Sequence, residues 1–287
     1  MKILVTDGNS ITGKTVISEL VRLGVEVYGL VPDDVSTYDI EELGARSLIG
    51  DIRDKFILEK GIRAVDRIYH ICPPWLLDEV EIANKIIKIA QDCEISLIGY
   101  HSIITPHIEG VPSHWNKMQV QMLLMKSNLP FTVFQPAMCM QNFLDSMIEE
   151  TENIRFELPY KPDVKISWVD IKNVGEAVAS LLTKSFHLGG AYELCGTDVP
   201  ISCIDIVKEL TSLSFKNINF ITLPIKKTEK DFFIKKYNPQ QVNNLKLYYN
   251  FINKGGMRAG NSKVLSMLLR KPPNSFSRVF DRIYQPS

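Results

Sequence analysis

The residues of this chain that could do chemistry fall in two places. The first is ILVTDGNSITGKT, Ile3 to Thr15, where a branched apolar run gives way to a glycine-bearing turn. Lys14 to Leu23 follows, with apolar residues at Val16, Ile17, Leu20, Val21 and Leu23. This pattern predicts a strand, a tight loop and a helix. Such a unit aims backbone N–H groups and the positive end of a helix dipole at one spot, which stabilises an anion without special side chains. The second is Tyr100, His101 and Ser102, at the end of a later apolar run, groups able to exchange a proton with a substrate.

Two motifs compete for the first stretch. Read literally, Gly8, Gly13, Lys14 and Thr15 spell G-x-x-x-x-G-K-T, the loop in which lysine reaches the terminal phosphates of ATP or GTP and the hydroxyl holds magnesium. The rival is the dinucleotide turn G-x-G-x-x-G. In the three-residue spacing, with glycine positions at Asp7, Ser10 and Gly13, only the last is intact.

The elements that follow decide between them. Val25 to Val31 reads as a second strand, and Asp33, 20 residues beyond Gly13, stands where a dinucleotide fold accepts hydrogen bonds from the adenosine ribose. A short helix over Tyr38 to Leu43 leads to a third strand, Ala45 to Ile49, which ends in Gly50, Asp51 and Ile52. Asp54 to Gly61 reads as a helix and Val65 to Ile71 as a fourth strand. The helix Glu79 to Cys93 and the fifth strand, Ile95 to Tyr100, come next. Strands alternating with helices over short connections predict an α/β fold with a doubly wound parallel sheet of the Rossmann type. A phosphate-loop ATPase needs a second apolar strand ending in an aspartate for magnesium. The candidates end in His-Ile-Cys-Pro-Pro and Tyr-His-Ser, so the dinucleotide reading is preferred.

Beyond Lys117 the helix continues through Val120 to Met125, and Phe131 to Phe134 reads as a sixth strand. Lys165 to Val169 is a strand, Asn173 to Leu182 a helix that Asp170 caps, and Ala191 to Leu194 a strand returning to the core. Ile201 to Leu213 reads as a helix, Asn219 to Leu223 as a strand, and two or three helices are expected from Thr228. The expected division is a dinucleotide domain over 1–145, which receives strands from 165–195, and a smaller mixed lobe over 146–287 with a basic helical tail.

Composition sets the outer bounds. The chain has 287 residues, 45% hydrophobic and 23% charged, enough to bury a large core. Met1 leads into Lys2 and the first strand without a long apolar run, so neither a signal peptide nor a membrane span is expected. Cys72, Cys93, Cys139, Cys195 and Cys203 are scattered without C-x-x-C spacing, which suggests reduced thiols in the cytoplasm and no metal site. Net charge is zero, yet from Ile221 onward thirteen Lys or Arg face three acids. Because these charges are interleaved with apolar residues, the tail reads as a solvated face; a protein partner is its alternative use, and nucleic acid is not expected.

The order VTDGNSITG, LVPDD, GDIRD, IYHICPP with Glu79 downstream, IGYHSI, HWNK, LPFTVFQPAMCMQNF and SWVDIKNVGEAV resembles the NmrA-like branch of the atypical short-chain dehydrogenases along nearly the whole chain. Its most specific pieces are H-x-x-K at His114 to Lys117, PFTVFQP followed by MQN, and W-V-D-x-x-x-V at Trp168 to Val174. The resemblance implies that Asp7, Asn9, Ser10, Ile11, Thr12 and Gly13 face the pyrophosphate of NAD(P) and Asp33 the adenine ribose. Asp51 and Ile52 would face the adenine, Ile71, Cys72, Pro73 and Pro74 the far ribose, and Lys117 the nicotinamide ribose. Met138, Met140 and Phe143 would face the substrate, with Trp75 and Trp115 flanking it. Active members of the family pass a hydride from NADPH or NADH to quinones, conjugated enones, imines or benzylic carbons.

Several residues depart from that pattern. Asp7 brings a carboxylate toward a pyrophosphate, Ser10 replaces a glycine, and Pro32 stands where many members carry an arginine for the 2′-phosphate. These changes predict weakened binding, down to its loss, with NAD favoured over NADP. The superfamily's tyrosine four residues before the lysine is Ser113 here, which leaves Lys117, His114, Ser102 and Tyr100 as candidate catalytic residues. The expected function is an NAD(P)-dependent reductase of a small planar quinone, enone or imine. A non-catalytic dinucleotide-sensing regulator and a redox-neutral isomerase or cyclase are the alternatives.

Overall fold

A computed structural model describes residues 1–73, 75–149, 153–184, 188–211, 217–222 and 238–284. Pro74 and the expected start of the tail helices at Thr228 lie outside the described residues. Strand β1, Lys2–Val5, is apolar because helices cover both faces of a parallel sheet. It pairs in parallel with β2, Glu26–Val31, on one side and β4, Arg67–His70, on the other. With β3, Arg46–Ile49, β5, Leu97–His101, β6, Phe131–Pro136, and β7, Gly190–Leu194, the strands form one seven-stranded parallel sheet in the order β7-β6-β5-β4-β1-β2-β3. The order reverses beside β1, so the crevice where ligands of open α/β sheets bind opens at its carboxyl end.

Helix α1, Ile11–Arg22, starts three residues before the expected Lys14, because Ser10 Oγ caps it by accepting from the Gly13 N–H at 3.0 Å. Helix α2 runs Val35–Glu41 rather than Tyr38 to Leu43, turned in early by Asp33, whose Oδ1 accepts from the Ser36 N–H at 2.9 Å. Helix α4, Glu79–Asp92, buries Ile82, Ile86 and Ile89, and helix α5, Pro112–Lys126, buries Val120 and Leu124 in the same apolar layer. Helix α7, Ile171–Leu182, comes so close to the sheet that a Cβ at Gly99 would meet Leu182 Cδ2 at 2.5 Å.

The chain groups into two compact units, one of residues 1–107, 114–135 and 174–193 and the other of 108–113, 136–173 and 194–287. In the second, Met147–Glu149, Asn153–Leu158 and Asn217–Thr222 form a three-stranded sheet, of which sequence reading expected the last strand alone, as Asn219 to Leu223. The expected strand Lys165 to Val169 shortens to Trp168–Val169, paired with Met138–Cys139. Three helices close the described chain, Pro239–Asn253, Lys263–Leu269 and Phe276–Tyr284. No helix among the described residues is long and apolar enough to cross a membrane.

Asp170, fully buried, ties the last of these helices down. Its Oδ1 accepts from Gln141 Nε2 at 2.6 Å and from Arg282 at 2.9 Å, and its Oδ2 from Asn274 Nδ2 at 2.6 Å and Arg282 at 2.9 Å. Burial pushes this carboxyl up, but the Arg282, Asn274 and Gln141 bonds outweigh it and hold it below the usual aspartate range. Arg282→Met strips the charge partner from a buried carboxylate, and denaturant titration is expected to show a loss of about 3 kcal/mol. Adding Asp170→Asn to that variant should recover part of the loss, because no unpaired charge is then buried.

Candidate functional site

The loop after β1 is held by backbone contact. A Cβ at Gly13 would lie 2.0 Å from the Asp7 carbonyl oxygen, and one at Gly8 would lie 3.1 Å from Gly29 Cα. Gly8 N–H also donates to Leu30 O at 2.9 Å. The close approach required of a dinucleotide turn therefore falls at Gly8 and Gly13, with Ser10 between them. Ser10 keeps the turn's shape by donating to Asp7 O at 2.8 Å while it caps α1. Ile11 is exposed, Asn9 and Thr12 are half-buried, and the first turn of α1 carries no acid. Burial pushes the Asp7 carboxyl up, against a Ser10 hydrogen bond and the Lys117 charge that pull it down, so its repulsion toward a phosphate is softened. The site thus fits a pyrophosphate at the loop, with Asp7 its one unfavourable neighbour.

Around the adenosine end, Asp33 is exposed and already bonded by Oδ1 to both the N–H and hydroxyl of Ser36, the hydroxyl at 2.7 Å. Those bonds hold it below the usual aspartate range. Asp51 is exposed and caps Arg53 N–H at 2.8 Å. Ile52 and Cys72, expected at the adenine and the far ribose, instead commit their side chains to the apolar core between β-sheet and helices, which leaves only their backbone for a ligand. Pro73 is half-buried.

The second group of candidates converges at the carboxyl ends of β4 and β5. Lys117, on α5, donates to Glu79 Oε1 at 2.6 Å and to His101 O at 3.2 Å. Tyr100 OH donates to the same Glu79 oxygen at 2.9 Å, and its ring centroid lies 5.4 Å from Lys117 Nζ. Beside it His70 stacks on Tyr100 with centroids 5.7 Å apart. Thr6 commits its one proton to Ile71 O at 2.7 Å, so His70 Nδ1–H must donate to Thr6 Oγ1 at 3.0 Å, which leaves Nε2 a buried acceptor without a partner. Tyr69 OH shares a 2.7 Å hydrogen bond with His101 Nδ1.

Exposure separates the four catalytic candidates. Lys117 has a side chain 15% exposed, whereas Tyr100 and His114 are at 0% and Ser102 at 2%. His114 Nδ1–H donates to Thr105 O at 2.8 Å, and Ser102 Oγ accepts from Gln121 Nε2 at 2.7 Å. The structure brings Lys117 and Tyr100 together on one carboxylate. His114 and Ser102 are placed in separate local bonds. Of the expected substrate residues, Trp75 and Trp115 are half-buried in the first unit. In the second, Met138 accepts from Tyr248 OH at 3.8 Å, and Met140 lines a concavity of about 250 Å³ with Asp198, Glu209 and Phe276. Phe143 is fully buried, its ring stacked 4.5 Å from Phe156 with edges on Trp168 and Phe276, so the expectation that it meets substrate is replaced by a core role.

Sequence reading missed Glu79, His70, Tyr69 and Thr6 as site residues. Glu79 opens α4, where an acid ordinarily reads as a partner of the helix dipole, and the other three lie in or beside strands whose pattern is simply buried.

The sheet order and the glycine loop define a dinucleotide-fold protein of the Rossmann type. The chain belongs to the NmrA-like family, whose model matches residues 1–274. It is similar to an NAD(P)H azoreductase of Xenophilus azovorans, 23% identical over 79% of each chain. Among solved structures it resembles the NADPH-dependent quinone oxidoreductase of Escherichia coli complexed with NADPH, with a TM-score of 0.80 at 18% identity over 98% of this chain and 99% of that one. It also resembles the triphenylmethane reductase of Citrobacter sp. complexed with NADP(H), with a TM-score of 0.75 at 17% identity over 99% and 100% of the two chains.

The buried imidazoles give the site a pH signature. Burial, and secondarily the Lys117 charge, push His70 and His101 down to about 3. An unfolded histidine takes a proton near pH 6.5, so below that pH the unfolded chain binds more protons and stability falls on acidification. Per histidine the slope approaches about 1.4 kcal/mol per pH unit only below about pH 6, so urea unfolding should show a loss of about 2 kcal/mol each between about pH 7 and pH 5. His70→Gln should remove one histidine's share of the slope.

Proposed function

We propose that this chain is an NAD(P)-dependent oxidoreductase that transfers a hydride to a small, planar, uncharged acceptor of the quinone, enone, imine or azo type. The observation that carries this reading is Lys117, a fixed ammonium at the carboxyl end of β5, with two of its three N–H bonds committed inside the protein and a side chain 15% exposed. The family and the named activities of the relatives support a reductase. A bound dinucleotide supplies the hydride. Gly8 to Gly13 would receive its pyrophosphate on the amides at the start of α1, Asp33 the adenosine ribose, and the third N–H of Lys117 the nicotinamide ribose.

The buried acids favour this substrate class. Hydride addition to a ketone leaves an alkoxide, which needs a positioned acid such as the absent tyrosine. Addition to a quinone leaves a delocalised phenolate, whose conjugate acid has a pKa near ~10 and which solvent can protonate. Because Tyr100, His114 and Ser102 are enclosed, a quinone, whose reduced product is stable as an anion, suits the site best, whereas imine and azo acceptors leave strongly basic anions and must draw a proton from solvent as the hydride arrives.

Calorimetry with NADH and NADPH tests the cofactor. Binding of at least one is expected, with NADH tighter because Asp33 repels a 2′-phosphate, and Asp33→Ser should narrow that preference. Absence of binding by both overturns the reading. Turnover on a panel of quinones, azo dyes and simple ketones should show the first two reduced and the ketones not. Lys117→Met should lower kcat/KM by about tenfold to a hundredfold, the worth of one charge-assisted hydrogen bond.

A further inference from the structure

Two elements bring polar groups to one oxygen atom on a third. Glu79, the first residue of α4 and 5% exposed, offers Oε1 to Lys117 Nζ from α5 at 2.6 Å and to Tyr100 OH from β5 at 2.9 Å. His101, next to Tyr100 on β5, offers its carbonyl to the same ammonium at 3.2 Å. An unrestrained lysine side chain samples many rotamers, and a ligand that needs its ammonium must first order it. Here that ordering is done before any ligand arrives.

We propose that Glu79 is the positioning residue of the site: it holds the Lys117 ammonium in one orientation, and Tyr100, through the same oxygen, fixes the carboxylate. The helical Tyr-x-x-x-Lys pair of the wider superfamily puts phenol and ammonium on neighbouring turns of one helix. In this chain the position four before Lys117 is Ser113, and the phenol that accompanies the lysine comes from the sheet, joined to it through a carboxylate. Glu79 touches neither ligand nor reacting atoms; it acts through Lys117. A buried carboxylate carries its charge only with its partners in place, so neither member of the pair is neutral to replace. The consequence for dinucleotide affinity rests on the proposed function, whereas the ordering of the ammonium does not.

Two measurements on the full chain separate these. With lysine labelled at Nζ, NMR of the ammonium groups should show one ordered signal apart from the exposed lysines, assigned by its disappearance in Lys117→Met. Glu79→Gln should return that signal to the exposed pool, and Tyr100→Phe should shift it. If Glu79→Gln does not fold, Tyr100→Phe and Glu79→Asp give the same readout. An ordered signal that survives Glu79→Gln unchanged, or no ordered signal in the native chain, overturns the proposal. In NADH titrations Glu79→Gln should weaken binding by about tenfold, and the same substitution placed on Lys117→Met should change it by less than about twofold. Equal weakening in both backgrounds overturns the proposal, since it marks a role independent of Lys117. If the native chain binds neither dinucleotide while the ammonium signal behaves as described, the proposed function fails and the positioning role of Glu79 stands.

Discussion

The contact between Gly13 and the Asp7 carbonyl is the constraint on which the site depends. A single methyl group at Gly13 would sit 2.0 Å from that oxygen, well inside any tolerable separation, and Gly8 is pressed on Gly29 and Leu30 in the same way. The loop can therefore fold back on β1 and lean on β2 with nothing but backbone between them. That closeness lets α1 begin at Ile11, five residues after Thr6, which ties β1 to β4 through Ile71. The start of α1 and the carboxyl ends of β1 and β4 thus share one floor, and the switch in strand order leaves that floor open.

Electrostatics around the floor is arranged so that one cation stands out. His70 and His101 are pushed to the neutral form by burial, and Asp7 is shifted the same way, toward its neutral acid. Glu79 and Lys117 compensate each other within 2.6 Å. A site of this kind has little net charge to attract a second anion beyond the dinucleotide, so phosphate must be held by amides and the α1 dipole.

Much of the sheet was legible in the sequence because parallel strands buried on both faces read as short unbroken apolar runs, as in Leu4, Val27, Ile68 and Ile98 between glycine and proline breaks. The glycine loop was legible as an anion site, but the close approach of Gly8 to Gly29 was not, since contact between the backbones of two strands leaves no spacing signal. The strands Met147–Glu149 and Asn153–Leu158 were not legible: the first is three residues long and pairs only with the second, whose other partner lies some sixty residues away, in the register Asn153 with Asn217. Phe143 looked like a substrate contact because aromatic and thioether side chains read alike in a core and in a cleft. Asp170 was read as a helix cap, and its Arg282 partner is 112 residues distant, beyond any local pattern.

The least legible relation was the one between Lys117 and its carboxylate, because it joins three elements rather than two turns of one helix. Exchanging a helical phenol for a strand phenol reverses which group meets the ligand. When tyrosine and lysine share an exposed helical face, the phenol can reach a substrate oxygen and the amine stands behind it. Here the phenol of Tyr100 is at 0% exposure and bonded to Glu79, while the Lys117 side chain is 15% exposed. On the proposed function, such a site orders the cofactor but offers no direct proton from a phenol. The proton must then come from solvent, which a quinone tolerates best because its reduced anion survives until water protonates it.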